Sequence, residues 1–288
     1  MVRDAGGAGM RTTGENAELA LLLEVAGTPK PGNVDRHREY DDLRFEHFLA
    51  GAVGAQEGLH AAANPEGPPV GEAFEQAVDG MSDQRGGNTQ FGALLLVVPL
   101  VRAAARGDLS QSGATAVVES TTVTDAAGFY RAFEHVDVSV EDPPEDMDDL
   151  DVRQGADAVP TLHARDLTLY DVMERSADHD GVAREWVGGF ERSFRAADRL
   201  ADLDGPITDR ASTVFLELLA DEPDTFVAIN HDEATAERVS ERAAAALTDD
   251  ADAEQLADDL VDEGVNPGTT ADVVAAGLFI ALERGLEI

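Results

Sequence analysis

Four short segments of the sequence carry more reactive side chains than a turn requires. The first, residues 29–36, reads Pro-Lys-Pro-Gly-Asn-Val-Asp-Arg and holds a cation and a carboxylate a few residues apart between stiff prolines. It contains Lys30, the only lysine of the chain. Because lysine has been discarded everywhere else, we expect Lys30 to contact the phosphates of a bound nucleotide. An ordinary surface ion pair in a rigid loop is the alternative.

The second segment is Gly86-Gly87-Asn88-Thr89, which precedes a strongly apolar stretch over residues 91–105. Free backbone N–H groups at the start of a helix, together with the positive end of the helix dipole, form a site for phosphate. The alternative is a helix cap made by Asn88 or Thr89. The segment is not a P-loop, because no Gly-Lys-Ser/Thr follows it.

The third and fourth segments each contain an aspartate near hydroxyl side chains. In residues 223–228, Asp224 could hold a metal or act as a base and Thr225 could bind an oxygen, but Asp224 could equally be an N-cap. In residues 266–272, Asn266 as N-cap with Pro267 at the first helical position explains the beginning of a helix. It does not explain the further capping-type residues that follow, Thr269, Thr270 and Asp272.

Several other chemistries are excluded or disfavoured by composition. The chain has no cysteine, which excludes disulfides, thiolate zinc sites and cysteine nucleophiles. Its seven histidines are scattered without metal-ligand spacing, so we interpret them as surface or packing residues. No Gly-x-Ser-x-Gly elbow is present, which disfavours a serine hydrolase of that kind.

In this order, the four segments resemble the triphosphoribosyl-dephospho-CoA synthase family over residues 18–285, and the chain looks like a divergent, halophilic archaeal-type member. The matching residues are Glu24-Val25 with 29–35, Asn88-Thr89-x-x-Gly92, the Asp-Thr-x-x-Ala of 224–228, and the Pro-Gly-x-x-Ala-Asp of 267–272. Two positions depart from the bacterial members. Gln90 and Phe91 stand where those members have His and Lys, and Tyr40-Asp41-Asp42-Leu43 stands where they have His-x-Asp-Met.

The resemblance implies a transferase that moves the 5-triphosphoribosyl group of ATP to the 2′-hydroxyl of 3′-dephospho-CoA and releases adenine. It also implies Mg²⁺, because a triphosphate of about four negative charges must enter a highly acidic protein. The catalytic candidates are Asp35, Asp42, Asp224 and Asp272. The sequence does not tell which of them is the base, which binds the metal and which stabilises the oxocarbenium ion. Asp224 is the candidate metal ligand. The nucleotide-binding candidates are Lys30, Pro31, Gly32, Arg36, Gly87, Asn88, Thr89, Thr225, Asn266 and Gly268.

Two other functions are compatible with the same residues. One is a Mg²⁺-dependent enzyme that cleaves an N-ribosyl bond with water or another acceptor. The other is a nucleotide-binding protein without catalysis. Adenine release from ATP, with and without dephospho-CoA, separates the three.

The elements that must position these segments are helices. Apolar residues recur at helical spacing along most of the chain, which predicts an all-α fold of roughly ten helices. We expect a loose N-terminal end over residues 1–12 and a single catalytic domain over 13–288, beginning with a capping box at Thr12–Glu15. Residues 182–200 are predicted to form one helix, residues 136–140 are the best strand candidate, and residues 141–151 form an acidic loop.

The net charge of the chain indicates the kind of solvent in which the protein works. With 58 acidic and 21 basic residues, the formal net charge is −37, which repels nucleic acid and anionic membranes. A hydrophobic content of 43% nevertheless favours a folded protein. Abundant acid with one lysine indicates a salt-loaded cytoplasm, where ions screen the repulsion. We find no targeting or membrane segment, and we expect a cytoplasmic enzyme whose partners are small molecules.

Overall fold

All regular structure in the computed structural model, which describes residues 11–140, 143, 148–247 and 250–288, is helical. The α-helices are α1 (Thr13–Ala26), α2 (Phe45–Gly54), α3 (Gln56–Ala62), α4 (Val70–Met81), α5 (Phe91–Ala105), α6 (Gln111–Glu119), α7 (Val123–Ala132), α8 (Val159–Arg165), α9 (Leu169–Ser176), α10 (Gly181–Val187), α11 (Glu191–Asp202), α12 (Ile207–Asp221), α13 (Thr225–Asn230), α14 (Glu233–Ala246), α15 (Asp250–Asp262) and α16 (Gly268–Glu283). Two 3₁₀ helices span Asp148–Leu150 and Val152–Ala158. The predicted all-α class is therefore confirmed.

The first and last helices show why the ends of the domain meet. Helix α1 begins with the predicted capping box, in which Thr12 and Glu15 each accept the other's backbone N–H. Helix α16 is buried along nearly its whole length, and it packs against α1, α5 and α11. A helix that is apolar on all sides must lie inside the protein. One hydrophobic core consequently runs from Ala17 to Leu282, as a single domain requires.

Three predictions about elements need correction. The helix expected over residues 182–200 is divided into α10 and α11, because Gly189 has φ 69° and Phe190 has φ 59°, which no α-helix can continue. Breaks of this kind, and short helices such as α8 and α13, raise the helix number above the predicted ten. Residues 136–140 form no strand; they are an extended segment, whose Val138 packs on the core.

Two predicted regions fall mainly outside the described residues. They are residues 1–10 of the loose end and most of the acidic loop 141–151. None of the helices in the described part of the chain has both the length and the apolarity needed to cross a bilayer.

Candidate active site

The four segments line one cavity of about 520 Å³, within the range of about 300–1,000 Å³ that is usual for small-molecule sites. Helix α1 ends at one side of the cavity, and α5, α13 and α16 begin around it. Six of the predicted site residues line it: Asn88, Thr89, Thr225, Asn266, Gly268 and Asp272. The sequence segments that looked reactive are therefore neighbours in space.

Lys30 lies behind the cavity wall and is completely buried. Its ammonium donates to a carboxylate oxygen of Glu24 and to Asn33 Oδ1, the latter at 3.0 Å. Both partners line the cavity, whereas Lys30 does not. Burial raises the pKa of Glu24, and the Lys30 ammonium opposes that rise. Lys30 thus forms a buried ion pair, which is neither the predicted phosphate contact nor the surface pair offered as its alternative.

Asp35 organises the loop of the first segment. One carboxylate oxygen accepts from His37 N and Arg38 N, at 2.7 and 3.0 Å. The other accepts from Thr28 Oγ1 at 2.8 Å and pairs with the Arg38 guanidinium at 3.2 Å. Asp35 does not line the cavity. These contacts give Asp35 a structural role in the loop, and its predicted catalytic role stays a prediction.

The remaining predicted residues of this region also lie away from the cavity lining. Gly32 has φ 73°, and a Cβ there would stand 2.1 Å from the carbonyl oxygen of Val265, so only glycine fits. Pro31 is buried beside it, whereas Arg36 and Asp42 are exposed. None of the four lines the cavity, so their predicted binding and catalytic roles find no support in the geometry.

Two backbone N–H groups in the first turn of α5 already donate hydrogen bonds to side chains of the protein. Asn88 Oδ1 accepts from Phe91 N at 3.0 Å, which is the capping alternative. Ala93 N bonds to the Asp272 carboxyl. Gly87 is exposed with φ 66°, and it does not line the cavity. Contacts within the protein thus occupy the N–H groups of Phe91 and Ala93, and the phosphate site at this helix end stays a prediction.

Asp224 joins the third and fourth segments. Its Oδ1 accepts from Val227 N at 3.1 Å as the N-cap of α13. Its Oδ2 accepts from Thr270 N and Thr270 Oγ1, both at 2.7 Å. Asp224 is buried and does not line the cavity. The structure shows the N-cap alternative, and the metal or base role stays a prediction. This bond pattern also accounts for Thr270.

Two further bonds fix the polar wall. Thr225 Oγ1 lies 3.0 Å from Thr269 Oγ1. Asn266 Oδ1 accepts from Asn33 Nδ2 at 2.9 Å, which links the fourth segment to the first. Asn266 is therefore not the N-cap of α16, which begins at Gly268 after Pro267 without a side-chain cap.

Asp272 is the one catalytic candidate that faces the cavity. Burial raises its pKa well above the usual range, and the charges of Glu24, Asp224 and Asp180 raise it further. Both effects favour the protonated form of this carboxyl. A Cβ at Gly92 would stand 2.0 Å from Asp272 Oδ2, so the glycine at that position gives the carboxyl its room.

Sequence reasoning missed the carboxyl groups of Glu24, Asp151 and Asp180, which also line the cavity. Glu24 belongs to the family signature that precedes the first segment, and that signature could have identified it. Asp180 caps α10 by accepting from Val182 N at 2.7 Å, and nothing in the sequence separates it from an ordinary N-cap. Among the described residues, no three His, Cys, Asp or Glu side chains form a metal cluster.

The other end of the cavity is apolar. It is built mainly by α7, which contacts both the 3₁₀ helix Val152–Ala158 and α9, and Phe91 of α5 lies against α7 at its border. We call this end the apolar compartment; its residues are Phe91, Leu95, Phe129, Tyr130, Phe133, Val138, Leu150, Val152, Val172 and Met173. Burial raises the pKa of Tyr130 to about 12, so this phenol is neutral. The cavity therefore has an acidic end and a mainly apolar end. Two charged residues that act electrostatically on Tyr130, Asp151 and Arg175, also line the cavity.

Comparison with known proteins gives consistent results. Residues 10–287 match the model of a family described as ATP:dephospho-CoA triphosphoribosyl transferase. The fold is similar to a crystal structure described as a "putative triphosphoribosyl-dephospho-CoA synthase" from Archaeoglobus fulgidus, with a TM-score of 0.67 and 26% sequence identity. That similarity covers 82% of this chain and 99% of the other. No curated protein matches the sequence.

Proposed function

The chain belongs to the ATP:dephospho-CoA triphosphoribosyl transferase family, and we propose that the cavity between the four segments is its active site. The reaction moves the 5-triphosphoribosyl group of ATP to the 2′-hydroxyl of 3′-dephospho-CoA. The bond between C1′ and the adenine nitrogen breaks, and a bond between C1′ and the acceptor oxygen forms. The acceptor hydroxyl loses a proton, and adenine leaves with one. The active site must therefore give and take a proton near a carbon that becomes positive.

Asp272 is suited to give the proton, and its position is the observation that carries this proposal. It is a carboxyl group on the cavity wall whose pKa is raised well above the usual range by burial and by neighbouring negative charges. A carboxyl whose surroundings favour its protonated form can donate the proton that a departing base requires. We assign it as the general acid for adenine.

Glu24 is suited to take the proton from the acceptor. Burial raises its pKa, which strengthens it as a base, while the Lys30 ammonium stabilises the ionised form that a base must have. The same negative charge stabilises an oxocarbenium-like C1′ as the bond to adenine lengthens. Lys30 then acts through Glu24 as a positioning residue.

Mg²⁺ fits the acidic end of the cavity as a partner of the substrate phosphates. Glu24, Asp180 and Asp272 face the cavity, and Arg175 is the only arginine or lysine among the described residues that line it. A triphosphate of about four negative charges needs more compensation than one arginine supplies. Because Mg²⁺ usually takes one or two carboxylates and completes its shell with phosphates and water, no cluster of three is required. We propose that Asp180 holds it; when bound, it neutralises phosphate charge.

Adenine release from ATP tests the function. We expect release that requires both Mg²⁺ and dephospho-CoA, at molar KCl, measured by chromatography. Release without an acceptor would indicate an N-ribosyl hydrolase, and binding without release would indicate a nucleotide-binding protein. Asp272→Asn should slow release by about 10²–10⁴. The matched control Asp42→Asn, at an exposed position outside the cavity, should not. We further propose that the enzyme works on these small molecules in a salt-rich cytoplasm, without nucleic-acid partners.

A further inference from the structure

The apolar compartment has no evident partner among the reacting groups of the two substrates. Triphosphate, diphosphate and ribose are polar or charged, and they suit the acidic end with Mg²⁺. The compartment offers three phenylalanine rings, aliphatic side chains and a neutral tyrosine whose hydroxyl already donates to the Leu150 carbonyl oxygen at 2.7 Å. Its occupant should therefore be an uncharged portion of one substrate.

The ring geometry argues against a purine as that occupant. A purine is best held between two parallel aromatic faces, but the compartment's ring pairs are inclined. The interplanar angle is 57° for Phe91 and Phe129, 61° for Phe91 and Phe133, and 84° for Phe129 and Phe133. The pair nearest to parallel, at 29°, joins Phe129 to Phe74, which does not line the cavity. These three rings therefore offer no parallel pair between which a flat base could stack.

We propose that the apolar compartment binds the pantetheine arm of the acceptor. This inference rests on the proposed function, because it takes dephospho-CoA as the acceptor. The arm is a long, uncharged chain with a gem-dimethyl group and a terminal thiol, and ATP has no counterpart to it. Arg175 lines the cavity on α9, two residues after Met173 of the compartment. An arginine at that border suits the 5′-diphosphate, to which the arm is attached.

The experiment uses 4′-phosphopantetheine, which carries the arm without the adenosine, as a calorimetric probe at molar KCl. Val138→Trp should fill the compartment, because Val138 is half-buried in the extended segment that lines it. We expect the probe to bind wild type and to bind this variant at least about tenfold more weakly, since even one misplaced methylene in a pocket costs about tenfold or more. ATP affinity should not change. Phe133→Ala, which removes a wall instead of filling the space, should weaken the probe as well.

Phe74→Leu is the matched control. It removes a buried ring that packs on Phe91 and Phe129 but does not line the cavity, so it reports the effect of core loosening alone. Helicity of every variant is checked by circular dichroism. Three results would overturn the assignment. The first is a wild type that does not bind the probe, and the second is folded Val138→Trp and Phe133→Ala variants that bind it as wild type does. The third is a fall in ATP affinity instead of probe affinity.

Acceptor transfer is assayed on the same variants, which separates the two ideas. Suppose that wild type transfers the group and that Val138→Trp raises the KM for the acceptor no more than the KM for ATP. That result contradicts the pantetheine site and leaves the transferase function intact. Probe binding that Val138→Trp weakens, in a wild type that releases no adenine, supports the compartment as an arm site and contradicts the function. Absence of both binding and transfer overturns both.

Discussion

Removing the Lys30 ammonium should destabilise the protein strongly, and the reason is the buried carboxylate that it leaves behind. Lys30 and Glu24 are both buried, and Lys30 donates to Glu24 and Asn33. Deleting one member of a buried ion pair costs about 3–5 kcal/mol, because the other charge remains without compensation. Lys30→Met preserves most of the side-chain volume, so the loss comes from the charge. We expect urea unfolding at constant molar KCl to show a loss of this size.

The double variant Lys30→Met/Glu24→Gln should recover most of that stability. Replacing both members of a buried pair by neutral groups of similar shape is often nearly neutral, so we expect the double variant to lie within about 1 kcal/mol of wild type. The coupling between the two sites would then be at least about 3 kcal/mol, and larger by whatever Glu24→Gln costs alone. Equal, additive losses in the single variants would contradict the buried pair, as would a Lys30→Met variant within about 0.5 kcal/mol of wild type.

The pH dependence of Lys30→Met gives a second check. Glu24 has a raised pKa in the folded protein, and loss of the ammonium raises it further. A carboxyl whose pKa is raised by folding binds more protons in the folded state, so the free energy of unfolding falls as pH rises through that pKa. The deficit of Lys30→Met should therefore be smaller at about pH 5 than at about pH 8. A deficit independent of pH would refute this account.

The double variant also tests the first expectation for Lys30. If Lys30 acts through Glu24, Lys30→Met/Glu24→Gln should bind ATP as Glu24→Gln does. A direct charge-assisted bond to phosphate is worth about 1.5–3 kcal/mol, so its loss would weaken ATP a further tenfold or more.

Three further predictions concern the acid, its surroundings and the surface. Asp272→Asn should unfold near neutral pH within about 1 kcal/mol of wild type, because burial and neighbouring negative charges favour the uncharged carboxyl, yet lower kcat by about 10²–10⁴. Since the acid must be protonated, wild-type kcat should fall as pH rises through the raised pKa of Asp272; a pH–rate profile without that limb would count against the assignment. Gly92→Ala should keep the helical spectrum and lose activity, because its Cβ would stand 2.0 Å from Asp272 Oδ2; full activity would show that the contact does not matter. In dilute buffer the chain should lose helicity and melt at a lower temperature than in molar KCl, because its net charge of −37 is then less screened. Identical melting curves in the two buffers would disprove our interpretation of the charge.

The parts of the site that could be predicted are those that depend on residues close together in the sequence. The capping box at Thr12–Glu15 and the breaks before α5, α13 and α16 depend on residues that are close together in the chain. The cavity-facing residues of those breaks, such as Asn88 and Thr225, could therefore be recognised.

The roles of the carboxylates could not be predicted, because they depend on packing between distant helices. Asp180 and Asp224 are both N-caps of short helices, and the sequence presents them alike. Only the fold places Asp180 on the cavity wall and turns both oxygens of Asp224 towards backbone and hydroxyl donors. Likewise, the Glu24–Lys30 pair forms because the loop folds back on the end of α1, and spacing alone does not distinguish that from a solvated lysine.

Because the only lysine is buried, its chemical modification can report local opening of the folded protein. No ε-amino group is accessible on the folded chain, since Lys30 has no exposed surface. Amine-reactive acylating reagents and cross-linkers can then modify Lys30 only when the first segment detaches from α1. The rate of that modification, read by mass spectrometry of a single peptide, measures the free energy of opening at the active site without an introduced label. A ligand that closes the cavity should slow this reaction in proportion to its occupancy.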